Sequence, residues 1–229
     1  MATEISSCKL CQVKSCAVAA LSDEELGVLS GNIQHVSFKK GETVFKEGLL
    51  ISHVFYLKKG LIKLHQHVSE EREAILKICF PTCYFGLSTI FGNRTNLYSA
   101  TAIEPTEVCM IDVSTFKEMI YSNGKFAFEI IADISKDELN VCRRFISLTA
   151  KQTNGRIASA LLFFARKVYQ NPTFELPLSR VELGEFLGIS REGVTRGLVL
   201  FKQDGLIELD KNRIILLKED RLELISQSG

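Results

Sequence analysis

The chain has 229 residues, 46% hydrophobic and 24% charged, with a formal net charge of +1. It is long enough for two cored domains, its composition excludes a disordered chain, and no apolar run approaches the roughly 20 residues of a membrane span. The polar start MATEISSCKLC lacks a secretory pattern, so a cytoplasmic protein without membrane contact is expected, and seven cysteines, an odd number, argue against a disulfide framework.

The first feature along the chain is Cys8, Cys11 and Cys16, spaced C-x2-C-x4-C. Thiolate sulfur is the ligand of iron–sulfur clusters and of zinc, and thiols this close can converge on one centre with a fourth ligand. A zinc site, a redox-sensing pair and no cofactor at all are the other readings of the spacing. Cys109 falls in a strand expected over residues 108–113. Cys79, Cys83 and Cys142 read as small core thiols, with Cys83 the reserve for a fourth ligand.

Ser22 and Glu25 form an S-x-x-E capping box that opens a short helix over residues 21–26. From residue 33 to 112 the pattern changes to short alternating strands punctuated by Gly41, Gly48, Gly60, Gly86 and Gly92, which predicts an all-β barrel or sandwich. The clearest strands are 54–57, 61–64 and 74–78, with Lys58, Lys59 and Gly60 turning between the first two. His65 and His67 alternate onto one side of a strand and read as ordinary strand residues, haem or metal ligation being the lesser reading, while His35 and His53 carry no pattern.

Helical periodicity returns over 114–122 and again over 126–152. In the longer helix Ile134, Val141, Phe145 and Leu148 recur at spacings of seven, four and three, an a/d seam that predicts a parallel two-helix dimer interface; packing on its own domain is the alternative. Glu138 occupies the seam position between Ile134 and Val141. There a carboxylate faces its twin and opposes pairing unless Lys136 or a water-filled gap neutralises it, which makes it a candidate switch element. Residues 143–170 contain six basic side chains (Arg143, Arg144, Lys151, Arg156, Arg166, Lys167) and no acid, leaving the remainder at about −5. Such a band suits phosphate contact, or is a solvated helix face.

Residues 179–204, SRVELGEFLGISREGVTRGLVLFKQD, read as two helices around Gly188 and Ile189. Ser179 and Glu182 form a capping box, Val181, Leu183, Phe186 and Leu187 supply a buried side, and Gly188 stops the helix. Ser190 caps a second helix whose Val194, Leu198 and Phe201 form the packing stripe. Its other flank carries Arg191, Glu192, Thr195, Arg196, Val199 and Lys202. Arginine can fork onto guanine O6 and N7, glutamate can accept from cytosine N4, and a threonine or valine methyl can touch thymine, so this flank suits the major groove. Residues 206–217 alternate around Asp210, Lys211 and Asn212, a hairpin that serves as the wing of a winged helix-turn-helix. No nucleophile–base arrangement, phosphate-binding glycine loop or paired-carboxylate motif stands out, so an enzyme is not expected.

With a glycine-punctuated β domain, a long helix and a winged helix-turn-helix in that order, nearly the whole chain resembles the CRP/FNR family of bacterial transcription regulators. FKKGETVFKEGLLISHVFYLKKGLIKL looks like that family's β-roll entry, and SREGVTR like its recognition-helix start. The resemblance implies an α+β fold in four parts: a cysteine-bearing segment (1–20), a β-roll of the cyclic-nucleotide-binding jelly-roll type (21–124), a dimerisation helix (125–152) and a winged helix-turn-helix (153–229). It also implies a homodimer on a two-fold symmetric double-stranded DNA site and contact with RNA polymerase. Arg191, Glu192 and Arg196 match the triad of the cyclic-AMP receptor branch, and Arg180 matches a phosphate-contacting arginine. Ser190, Thr195 and Lys202 complete the expected DNA-contacting set. The FNR branch keeps the equivalents of Glu192 and Arg196 but has serine at Thr195 and lacks Arg191, so half-sites sharing the TGA core of both branches are expected.

The FNR branch also has an N-terminal cysteine cluster and a fourth ligand in a V-C-x-I strand, which Val108, Cys109, Met110 and Ile111 match. The resemblance thus implies a [4Fe–4S] cluster on Cys8, Cys11, Cys16 and Cys109 that senses oxygen or redox state. One departure is that four residues rather than five separate Cys11 from Cys16. A small ligand or haem sensed in the β-roll, without a cluster, is the alternative. Nucleotide-binding members use a glutamate soon after an F-G pair and an arginine before serine or threonine; here Phe85-Gly86 is followed by Leu87-Ser88, and Tyr98-Ser99 replaces the arginine pair, with Arg94 nearby. Cyclic-nucleotide binding is therefore not expected.

Overall fold

The computed structural model describes residue 8 and residues 11–50, 52–69, 72–91 and 95–228, with Ser88, Thr89 and Ser228 described by backbone alone. Contact clustering divides them into two units, one comprising residues up to 66 and 76–138, the other 67–75 and 139 onward.

The first unit opens with two helices, α1 (Cys16–Ala19) and α2 (Asp23–Gly31). Ser15 caps α1, its hydroxyl accepting from Val18 N at 3.0 Å, and the Ser22–Glu25 capping box of α2 forms as its sequence requires. Eight strands follow: β1 (Ile33–Phe38), β2 (Thr43–Phe45), β3 (His53–Lys59), β4 (Ile62–Ser69), β5 (Arg72–Cys79), β6 (Cys83–Phe85), then β7 (Ser99–Ala102) and β8 (Thr106–Asp112), with the short α3 (Leu87–Ile90) between β6 and β7. They form two four-stranded sheets, β1-β8-β3-β6 and β2-β7-β4-β5.

The first sheet is covered on both faces. Along β3, Val54 and Tyr56 enter one hydrophobic cluster while Phe55 and Leu57 enter the other, and β8 does the same with Cys109 and Ile111 against Val108. Period-two alternation sends successive side chains to opposite faces, so strands apolar at consecutive positions must be buried twice. One cluster fills the roll between the sheets. The other packs against α1, α2, α4 (Val113–Ser122) and the start of α5 (Gly124–Ala150), through Ala17, Leu26, Leu29, Phe116 and Phe126. Asn123 fixes that start: its Oδ1 accepts from Lys125 N and Phe126 N at 3.0 Å, and its Nδ2 donates to the Glu25 carboxylate at 2.9 Å. Beyond Ile130, α5 buries no further side chain completely.

The second unit contains α6 (Thr153–Phe163), which runs on as a π-helical stretch (Phe164–Val168), then β9 (Thr173–Glu175), α7 (Arg180–Leu187), α8 (Arg191–Gln203), β10 (Ile207–Asp210), β11 (Arg213–Leu216) and α9 (Glu219–Ser228). β10 and β11 make the hairpin expected around residues 210–212, with Lys211 at φ +52 in the turn. A third strand, β9, pairs with β11. Neither β9 nor α9 was foreseen: three residues are too few to show a period, and α9 exposes Leu224 while burying Leu222.

Some expectations shift. Val181, read as buried, is 49% exposed, because the first turn of α7 rises clear of the core that Leu183 and Leu187 fill. β3 extends through Lys58 and Lys59, with a register shift between Leu57 and Lys59, so the turn narrows to Gly60. Among the described residues, no helix is long and apolar enough to cross a membrane.

Gly60 is at φ +84, and a Cβ there would lie 2.4 Å from Pro105 O and 2.8 Å from Thr106 Cα. Backbone cannot yield as a flexible side chain can, so both the left-handed conformation and the steric overlap oppose any larger residue. Gly60→Ala should destabilise the first unit by about 2–4 kcal/mol in urea unfolding; a loss below about 0.5 kcal/mol would show that the turn relaxes.

Candidate functional site

The helix pair α7 and α8 is built from local signals. Ser179 N donates to Glu182 Oε2 at 2.9 Å and Glu182 N to Ser179 Oγ at 3.2 Å; Gly188 ends α7 at φ +62, and Ser190 Oγ accepts from Gly193 N at 3.0 Å. Two glycines not singled out in the sequence set the crossing. A Cβ on Gly184 would lie 2.7 Å from Ile189 O, and one on Gly197 would lie 2.4 Å from Ile157 Cδ1. At Gly184 the neighbour is backbone, so only a residue without Cβ lets the turn approach so closely, whereas at Gly197 it is the flexible end of Ile157, which can shift.

Val194, Leu198 and Phe201 of α8 are buried, and Arg191, Glu192, Thr195, Arg196, Val199 and Lys202 are exposed on the other flank. Among the described residues, the side chains of Arg191, Glu192 and Arg196 have no hydrogen-bond or ion-pair partner. Thr195 Oγ1 donates to Arg191 O at 2.9 Å, which leaves its methyl and an acceptor lone pair outward. The other expected contacts are engaged within the protein. Lys202 Nζ donates to Leu209 O at 3.0 Å in the wing, and Arg180 Nη2 donates to Lys211 O at 2.8 Å, while burial lowers the Arg180 pKa. Both therefore brace the wing against the helix pair.

Arg144, Lys151, Arg156 and Arg166 of the basic band are engaged within the protein, whereas Arg143 and Lys167 stay at the surface. Arg156 donates from Nε to Lys151 O and from Nη1 to Leu187 O and Gly188 O, and Arg144 donates to Phe186 O at 2.7 Å with its guanidinium 4.4 Å from the Phe186 ring centre. These cations satisfy the carbonyls at the end of α7, where the helix dipole is negative. Arg166 pairs with Glu219 at 3.0 Å and with Glu223, and Lys151 donates to Ser159 Oγ.

In the first unit, the registers of four strands line up one rung. His35 opposes Cys109, Cys109 opposes Tyr56, and Tyr56 opposes Tyr84, across β1, β8, β3 and β6. All share a face, since directly opposed residues point the same way. Tyr56 OH donates to Val13 O at 2.9 Å, Tyr84 OH lies 2.7 Å from Ser15 Oγ, and the two rings stand 4.8 Å apart. The N-terminal segment is thereby pinned at two points between Cys11 and Cys16. His35, without pattern in the sequence, has Nδ1 3.4 Å from Cys109 Sγ.

Burial, with Cys8 and Cys11 adding, pushes the Cys109 thiol up to about 12. Burial first, then Cys11, Cys109, Asp133 and Cys16, raises Tyr56. Three of the four thiols, those of Cys11, Cys109 and Cys16, thus lie near enough to one tyrosine to act on it. Cys8 is buried with Cys109 in one cluster, Cys11 is half-buried and Cys16 is exposed. Among the described residues, no group of three or more histidine, cysteine or acidic side chains stands in position to hold a metal ion. The donor set and its low-dielectric floor fit a thiolate-bound centre, although the sulfurs do not converge. Cys83 lies with the opposite cluster, inside the roll, and drops out as a fourth ligand.

Phe45, Phe55, Phe85 and Tyr98 fill the roll, with Phe55 and Phe85 5.1 Å apart and Phe45 5.8 Å from Tyr98. Tyr98 OH accepts from Gly86 N at 3.2 Å, so the residue at the arginine position closes on the F-G turn. Arg94 lies outside the described residues. His65 and His67 do not form a pair: His65 is buried with Nε2 2.9 Å from Thr101 Oγ1, whereas β4 loses its cover beyond it and His67 reaches Glu73 at 3.4 Å.

On α5, Ile134, Glu138, Val141 and Phe145 are exposed, as are Phe128, Ile131, Leu139 and Ile146, so the apolar row is broader than the sequence seam. Leu148 is half-buried, with Cδ2 3.4 Å from where a Cβ of Gly188 would stand. Lys136 pairs with Asp133 at 3.2 Å rather than with Glu138.

A family model for the cyclic nucleotide-binding domain matches residues 35–123, and one for the Crp-like helix-turn-helix domain matches residues 155–225. The chain is 28% identical over 237 residues to the transcriptional activator protein FnrL of Cereibacter sphaeroides, covering 99% of this chain and 94% of that protein. It is 25% identical over 201 residues to the CRP-like cAMP-activated global transcriptional regulator of Mycobacterium tuberculosis, covering 86% and 90%. Its fold is similar to that of FixK2 from Bradyrhizobium japonicum, with a TM-score of 0.79 at 22% identity over 86% of this chain and 98% of the other. The exposed, capped helix on a wing-braced scaffold therefore lies in the helix-turn-helix domain of a protein that belongs to the CRP/FNR family of DNA-binding transcription regulators.

Proposed function

We propose that the chain is a homodimeric regulator whose binding to two-fold symmetric DNA responds to oxygen or redox state through a [4Fe–4S] cluster on Cys8, Cys11, Cys16 and Cys109. The observation that carries this reading is the rung on which Tyr56 and Tyr84 pin the cysteine-bearing segment beside Cys109. A bound cluster supplies a thiolate-ligated centre that oxidants dismantle. The protein's part is mechanical. The segment around Val13 and Ser15 rests on the face that α2, α4 and the start of α5 also cover, so a change in how it is held alters the packing against α5. RNA polymerase contact is part of the same proposal, supported by the family resemblance.

Arg191, Glu192, Thr195 and Arg196 are assigned to base edges, with Ser190 at the phosphate flank; Arg180 and Lys202 hold the wing and reach phosphate only by exchanging partners. The row Ile134, Glu138, Val141 and Phe145 is assigned to the second copy. In this arrangement the four parts are 1–20, 21–124, 125–152 and 153–229, the last reading DNA.

Three measurements test the proposal. Anaerobically purified protein should carry about four irons and four acid-labile sulfides per chain, and Cys109→Ser should remove most of both together with the oxidant response of DNA binding. Unchanged iron and unchanged DNA affinity would exclude Cys109 as a ligand. Selection from random duplexes should return half-sites with a TGA core, and Glu192→Ala should cost about 1–3 kcal/mol on the selected site while relaxing one core position; sites lacking that core would overturn the assignment. Val141→Asp should shift the protein to monomer in sedimentation without unfolding it, since the side chain is 63% exposed in the single chain. A variant that remains dimeric would place the interface elsewhere.

A further inference from the structure

A second thiol pair lies apart from the N-terminal cysteines. Cys79 closes β5 and Cys83 opens β6, with Phe80, Pro81 and Thr82 as the turn between them. Thr82 stands at φ +72, a conformation that a β-branched residue rarely adopts, and its N–H donates to Leu57 O at 2.9 Å. The turn held this way packs both side chains into one cluster, where the thiols lie near enough to influence each other. Cys79 is fully buried; Cys83 is half-buried and donates to Tyr84 O at 3.1 Å.

Lys77, two residues before Cys79 on β5, places Nζ 2.5 Å from Asp137 Oδ2 on α5. Burial alone would weaken its charge, but the Cys79 and Cys83 sulfurs and then Asp137 more than offset that and hold the ammonium protonated. The hydrogen bond from Cys79, then the Lys77 charge, favours the thiolate at Cys83 against the effect of burial, while that same bond and burial keep Cys79 protonated. Cys83 is thus the sulfur of the pair that gives up its proton more readily, and Cys79 the one that keeps it. A cationic neighbour favours a reactive thiolate over a bound metal cation.

We propose that Cys79 and Cys83 are a redox-active dithiol that hydrogen peroxide converts to an internal disulfide, a modification site separate from the four N-terminal and β8 cysteines. The Cys83 sulfur attacks one peroxide oxygen, the O–O bond breaks, and the departing oxygen leaves as water with the thiol proton, giving a sulfenic acid. The Cys79 sulfur then attacks the Cys83 sulfur, the S–O bond breaks, and the hydroxyl leaves as a second water with the Cys79 proton. The dithiol loses two electrons and two protons, and the peroxide is reduced to two waters. Sulfurs packed in one cluster on either side of a three-residue turn are placed for closure into a disulfide.

The inference does not rest on the cluster reading, and the test separates them. Full-length protein freed of metal is exposed to one equivalent of hydrogen peroxide, alkylated and digested with trypsin; residues 78–94 form one tryptic peptide holding both thiols. That peptide should lose two hydrogens and escape alkylation, equally in the wild type and in a variant with Cys8, Cys11 and Cys16 all replaced by Ser. Cys79→Ser should stop at a Cys83 sulfenic acid trapped by dimedone, and Lys77→Met should slow the oxidation about tenfold. Full alkylation of Cys79 and Cys83 after peroxide, oxidation that vanishes in the triple-serine variant, or a rate unaffected by Lys77→Met would overturn the proposal.

Discussion

The first unit depends on a sheet that is buried on both faces. Because neighbouring residues of β3, β6 and β8 point in opposite directions, each strand contributes one row to the roll interior and another to the helical layer. That requirement fixes register, since a slip by one residue would exchange the rows. It places Cys109, Tyr56 and Tyr84 side by side on the outer face and Phe55, Phe85 and Val108 on the inner one. The outer row receives the N-terminal segment, while the inner row closes the roll with aromatic rings.

Two polar anchors convert this packing into a defined position for the cysteine segment. A single hydroxyl bond contributes only about 1 kcal/mol, but Tyr56 and Tyr84 act at Val13 and Ser15, two residues apart, and so restrain direction as well as place. Tyr84 is itself buried and raised by burial, which keeps its hydroxyl a neutral partner for Ser15. The same face leads through Phe116 and Phe126 to α5, so the N-terminal segment and the start of the long helix share one core.

In the second unit the charged residues divide by task. Arg144 and Arg156 terminate α7, Arg180 and Lys202 hold the wing, and Arg166 secures α9, which leaves Arg191, Glu192 and Arg196 as the unpartnered charges on the recognition flank among the described residues. Engaging these cations inside the fold fixes their side chains and leaves the exposed flank of α8 free of internal polar contacts at Arg191, Glu192 and Arg196.

Local chemistry in the sequence determined a good deal. The capping boxes at Ser22 and Ser179, the left-handed Gly188, the buried stripe Val194, Leu198 and Phe201 and the wing turn each involve residues close in the chain, so spacing alone exposes them. The cysteine spacing was likewise visible, as was the missing arginine at Tyr98. What only the tertiary structure decided are pairings between distant residues. His35 meets Cys109 through strand register, Ser15 meets Tyr84 across 69 positions, and Gly197 packs closely against Ile157 of another helix. The six basic residues looked alike in sequence because charge is local, but Arg144 and Arg156 meet carbonyls and Arg166 meets carboxylates that only folding brings to them.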